Sequence, residues 1–76
     1  MDLVRQLGRN VRALRLSLEL SQEEVAFRAG MKRSYLSDLE RGVRNPTVRA
    51  VGRLGKALGV PPDHLLKAGE ADDHSN

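Results

Sequence analysis

The sequence contains no cysteine and no tryptophan, and only one phenylalanine and one tyrosine in 76 residues. Without thiols there is no disulfide framework, no thiolate zinc site and no cysteine nucleophile. Without a set of aromatic rings there is no platform for stacking single-stranded bases. No apolar run approaches the roughly 18 residues of a membrane span, and no signal-peptide core is visible, so the expected setting is cytoplasmic with no membrane partner. Histidine is scarce too. His64 and His74 are the only two, and no Ser-His-Asp, H-E-x-x-H, P-loop or G-x-G-x-x-G arrangement accompanies them. The chain is read as a binding protein rather than an enzyme, with no metal and no cofactor.

What is present is apolar residues in helical rhythm and an excess of arginine. Hydrophobic residues make up 39% of the chain, too many for a disordered segment and enough for one small domain. The formal charge of +3 conceals a split. Residues 1–67 carry all 13 basic groups against seven acids, whereas residues 68–76 carry Glu70, Asp72 and Asp73 alone. The expected organisation is a helical domain over 1–67 and a polar acidic tail over 68–76. Between Arg28 and Lys56, eight basic groups face only Asp38 and Glu40, and ten of the 13 basic residues are arginine. Arginine suits bidentate contact with phosphate or guanine, so an anionic partner, nucleic acid ahead of membrane, is indicated.

Short helices joined by tight turns account for the whole basic body. Leu3, Leu7, Val11, Leu14 and Leu18 form one stripe of a helix over about 2–18. Ser21 and Glu24 read as a capping box, each side chain reaching the other's backbone N–H, at the start of a helix that ends at Gly30. A third helix over about 32–41 turns Leu36 and Leu39 inward and stops at Gly42. Thr47 caps a fourth with the stripe Val48, Val51, Leu54 and Leu58, closed by Gly59. Pro61-Pro62-Asp63 opens a fifth, short helix carrying Leu65 and Leu66. The expected fold is all-α, a compact five-helix domain.

Two short helices with a glycine turn between them, over 21–41, match the helix-turn-helix pattern, in which the second helix enters the major groove while the first crosses the backbone. The residues Leu20-Ser21-Gln22-Glu23-Glu24-Val25-Ala26, Ala29-Gly30, Ser34-Tyr35-Leu36-Ser37-Asp38-Leu39-Glu40-Arg41-Gly42, Arg44-Asn45-Pro46-Thr47 and Lys56-Ala57-Leu58-Gly59-Val60 carry a closer likeness. Together they resemble the lambda-repressor-like, Cro/repressor or XRE-type, family of transcriptional regulators over about residues 3–67. The short length and the run Arg33-Ser34-Tyr35-Leu36-Ser37 look most like restriction–modification controller proteins within it.

The resemblance implies double-stranded operator DNA as partner and assigns roles. Arg33, Ser34, Asp38 and Tyr35 fall where the family faces base edges. Arg33 suits G O6 and N7. Asp38 either accepts from cytosine N4 or orients Arg33 or Arg41. Tyr35 touches a thymine methyl or the sugar-phosphate, or is a partly buried ring. Gln22 corresponds to a phosphate-clamping glutamine at a helix N-terminus. Lys32, Ser37, Arg12, Arg41, Arg44, Asn45 and Arg49 are further backbone candidates. Lys32 stands where the family places a capping Ser or Thr, and lysine cannot cap. Arg15 and Glu40 correspond to a partly buried structural salt bridge.

The resemblance also places a two-fold interface near the last helix, at Val60, His64, Leu65 and Leu66. A homodimer would set two recognition helices about 34 Å apart on a palindromic operator. A separate effector domain does not fit in this length, so control by concentration and dimerisation, with no small-molecule effector, is the simplest expectation, and the likeness to controller proteins implies regulation of the chain's own promoter. The competing reading is a protein-interaction module of the same fold, such as an antitoxin, with the acidic tail as its contact.

Overall fold

A computed structural model describes residues 2–68. Four α-helices and one 3-10 helix follow in order: α1 Leu3–Ser17, α2 Gln22–Ala29, α3 Arg33–Glu40, α4 Val48–Leu58 and the 3-10 helix Pro62–Leu66. No strand occurs among the described residues. The fifth helix is thus not an α-helix. Pro61 and Pro62 lack backbone N–H groups, and five residues are too few to build an i→i−4 ladder. The segment closes instead with a tighter bond from the His64 N–H to the Pro61 carbonyl, 3.0 Å. Of the acidic tail expected over 68–76, only Ala68 is among the described residues, and it is exposed.

Local chemistry sets the helix ends. Asp2 accepts from the N–H groups of Val4 and Arg5 at 3.1 and 3.2 Å. Ser21 Oγ accepts from the Glu24 N–H at 3.0 Å, and Thr47 Oγ1 from the Ala50 N–H at 3.0 Å. Each satisfies a donor that the first helical turn leaves unpaired. The capping box at Ser21 is only half made. The Glu24 carboxylate accepts instead from Arg28 Nε at 2.9 Å, one helical turn along. Gly30 terminates α2 at φ +67°, a left-handed conformation that a β-carbon would strain.

The core is built from Leu7 and Val11 of α1, Val25, Ala26 and Ala29 of α2, Leu36 and Leu39 of α3, Leu54 and Leu58 of α4, and Leu65. The apolar stripes run out at their ends. Leu3 and Leu18 are exposed at either end of α1, and Val48, the first residue of α4, is 90% exposed. Leu65 is 1% exposed. Its side chain therefore closes the chain's own core and has no surface to offer a second subunit, which removes it from the expected interface. Leu66, beside it, is 38% exposed.

α1 and α3 approach more closely than side chains allow. A β-carbon on Gly8 would run into the Leu39 and Glu40 carbonyl oxygens. The C-terminal end is fastened to the same helix. Asn10 Nδ2 donates to the Leu65 and Lys67 carbonyls at 2.8 and 2.7 Å. The first contact seats α3 on α1 and the second holds the chain's last turn to α1, while the first residues of α2 and α3 at Glu23, Arg33 and Ser34 stay exposed.

Candidate nucleic-acid interface

The face that presents α2 and α3 is organised by one carboxylate. Glu40, the last residue of α3, lies beneath the N-terminus of α2 with its side chain only 2% exposed. Arg15 of α1 meets it in a two-pronged pair, Nε to Oε2 at 2.7 Å and Nη2 to Oε1 at 3.0 Å. The third arm of the guanidinium, Nη1, donates to the Leu20 carbonyl at 2.9 Å. Hydrogen bonding to Glu40, ahead of its charge, raises the Arg15 pKa and outweighs burial, which acts to lower it. Gln22 Nε2 donates to the same Glu40 Oε1 at 3.0 Å. One amide hydrogen of Gln22 is committed inward, and the other is left for a ligand.

The N–H groups at the start of both helices have the same polarity. Those of Gln22 and Glu23 in α2, and of Arg33 and Ser34 in α3, donate to no acceptor among the described residues. Lys32 precedes α3 with no side-chain cap. A cleft of about 470 Å³ between these ends is lined by Arg15, Ser21, Gln22, Glu23 and Arg33. The helix ends and the Arg33 guanidinium bring positive charge to it, and the Glu23 carboxylate brings one negative charge.

A second cluster lies along α3 and the loop after it. Asp38 Oδ1 accepts from Arg41 Nη2, and Asp38 Oδ2 faces Arg44 Nη2 at 3.5 Å. The Arg44 guanidinium sits over the Tyr35 ring, 4.7 Å from its centroid. The hydrogen bond from Arg41, then the charges of Arg41 and Arg44, hold the Asp38 carboxyl below the ordinary carboxylate range. Of the two arginines that sequence offered as partners for Asp38, the structure selects Arg41, adds Arg44, and leaves Arg33 apart.

The expected contact residues therefore fall into three sets. Gln22 and Arg33 share the cleft. Tyr35, Asp38, Arg41 and Arg44 form the second cluster. Ser34, Lys32, Asn45, Arg49 and Arg12 are exposed and belong to neither, and Ser37 is half-buried on α3. Sequence reasoning missed the Gln22–Glu40 bond and the Arg44–Tyr35 stack. Neither has a local signal, because the partners lie on different elements. Among the described residues there is no cluster of metal-ligating side chains, and no helix is long and apolar enough to cross a membrane.

The same two helices fall inside a match to a known family. The family model described as Helix-turn-helix matches residues 11–65, which takes in both helices, the Gly30 turn and the 3-10 helix as far as Leu65. The chain belongs to the XRE-type helix-turn-helix family. That family comprises DNA-binding transcription regulators and is not enzymatic. Among curated XRE-type relatives, Control protein C.BamHI from Bacillus amyloliquefaciens is 47% identical over 60 residues, covering 78% of this chain and 74% of that protein. The HTH-type transcriptional regulator y4dJ from Sinorhizobium fredii is 50% identical over 66 residues, covering 87% and 86%. Among solved structures, the restriction-modification controller protein C.AhdI from Aeromonas hydrophila superposes with a TM-score of 0.79 at 39% identity, covering 82% of this chain and 94% of that one. The four α-helices of this XRE-type chain are thus arranged as in a controller protein.

Proposed function

We propose that this DNA-binding transcriptional regulator acts as a homodimer on a palindromic operator, as the controller of a restriction–modification system that sets the level of its own promoter. It works by binding alone, without a catalytic step, cofactor or small-molecule effector. The observation that carries the reading is the α2–α3 face, where Gln22 is steered by a buried ion pair toward a cleft rimmed by Arg33. Identity to proteins named as controllers supports the restriction–modification role.

In this reading one strand's phosphate lies in the cleft, taken by the free N–H groups of α2 and the second amide hydrogen of Gln22. Arg33 and Ser34, at the exposed start of α3, reach base edges, and Tyr35 meets the adjoining sugar or a thymine methyl. Lys32, Ser37, Arg12, Arg41, Arg44, Asn45 and Arg49 supply backbone contacts. The second subunit packs against Val60, His64 and Leu66, the outward side of the segment whose Leu65 points into the core.

Selection from a random duplex pool with the full chain tests the proposal. The expected result is enrichment of an inverted repeat, bound two chains per duplex, with affinity falling about 10³-fold or more between 50 and 200 mM salt. Failure to enrich any sequence, or binding as one chain per site at all concentrations, overturns it.

A further inference from the structure

We propose that Asp38 is a specificity-positioning residue that neutralises Arg41 and Arg44 within the recognition surface, so that DNA of the wrong sequence meets fewer free cations. The inference rests on the DNA-binding reading above and concerns how that surface discriminates. Both oxygens of the Asp38 carboxylate are turned toward guanidinium groups, Arg41 on one side and Arg44 on the other. Arg44 is further restrained by its contact with the Tyr35 ring, 4.7 Å from guanidinium carbon to centroid, on the same helix as Asp38. Arg33, Lys32, Arg49 and Arg12 have no such partner among the described residues. The surface therefore carries two kinds of cation, one free and the other held in a fixed geometry by an internal anion.

This division has a physical consequence. Non-specific binding is driven by counterion release and rewards any mobile cation near a phosphate, whatever the sequence. Arg41 and Arg44 join such a complex only by leaving Asp38. On a matching site, the stacked Arg44 and its neighbours are used in the geometry in which Asp38 and Tyr35 already hold them, with little reorganisation. Asp38 thus lowers affinity for incorrect DNA more than for the operator. A carboxylate in a DNA-facing surface that neither accepts from a base nor holds a cation would act only as a repulsive charge.

The test compares the full-length chain with its Asp38→Asn variant on a duplex enriched from the random pool and on a scrambled duplex of equal length, across a salt series. The expected result is about three- to tenfold tighter binding of the scrambled duplex by Asp38→Asn, a change of under about threefold on the enriched duplex, and a salt slope on scrambled DNA steeper by about one to two. Adding Arg41→Gln and Arg44→Gln to Asp38→Asn is expected to remove the gain. Thermal melting followed by circular dichroism confirms that each variant is folded, and Asp38→Ser provides a second uncharged side chain at the position. Weaker binding of the enriched duplex with scrambled DNA unchanged would mean that Asp38 reads a base, and overturns the inference. So does equal tightening on both duplexes, or no change on either. A wild-type chain that enriches no sequence fails at the earlier step, which identifies the DNA-binding reading as the fault.

Discussion

Arg15 and Glu40, 25 residues apart in sequence, form a two-pronged ion pair with both side chains at most 10% exposed. It is the junction of three helices, because Gln22 at the start of α2 is bonded to the same carboxylate. Removing one partner strands the other charge in a nearly dry site. Arg15→Met is expected to cost about 3–5 kcal/mol in urea unfolding. That is most of the stability of a domain this small, so its cooperative transition should nearly vanish at room temperature. Replacing both, as Arg15→Met with Glu40→Leu, is expected to recover much of the loss. A single substitution that leaves the transition midpoint in place would contradict the burial.

Gly8 gives a sharper steric result. The β-carbon of Gly8→Ala would collide with two backbone carbonyls at the end of α3, and backbone cannot rotate away as a side chain can. Helix propensity alone favours alanine by about 0.8–1 kcal/mol. Overpacking opposes it and is expected to dominate, with a net loss of about 1–3 kcal/mol. A gain in melting temperature would show that α1 and α3 are further apart than described.

Gln22 and Arg33 are expected to separate affinity from base choice. Gln22→Ala removes a neutral donor to phosphate, so binding should weaken about tenfold on every duplex with little change in salt slope. Arg33→Ala is expected to cost about 1–3 kcal/mol on the operator and to relax preference at one base pair in each half-site. The pair of titrations would contradict the assignment if Gln22→Ala altered sequence preference while Arg33→Ala did not.

Acid should release the Asp38 cluster. The folded carboxyl titrates below its unfolded value. Its contribution to stability is therefore complete above the ordinary aspartate pKa of about 3.9 and is lost as pH falls through the lower folded value. The melting-temperature gap between the wild-type chain and Asp38→Asn should be constant near neutrality and close in acid. A gap that does not narrow at all as the pH falls would exclude the ion pairs as its source.

Much of the fold was legible because its signals are local. Ser21, Gly30, Thr47 and Gly59 mark helix ends through bonds or dihedrals within a few residues of themselves. The apolar spacing found α1 and α4, and erred only at Leu3, Leu18 and Val48, where the helix outruns its neighbours. The 3-10 helix was misjudged because periodicity over five residues cannot separate one helix type from another. The burial of Arg15 was open to pattern alone. It continues the four-residue rhythm of Leu7 and Val11, and a charge on an apolar stripe implies a buried partner. Nothing near Gly8 or Gln22 in sequence announces Leu39 or Glu40, and these contacts exist only once the helices have packed.

The pinning of Leu65 and its neighbouring carbonyls by Asn10 also bears on closure of the interior. The core is incomplete without a residue 55 positions downstream of Asn10, so a chain cut short before Leu65 leaves the apolar ends of α1 and α4 open to water. The last turn seals the interior with Leu65 and, in the same movement, presents Leu66 and His64 outward. The closure of the interior and the shape of the outward surface at His64 and Leu66 are thus one structural fact, and a change that loosens Leu65 disturbs both.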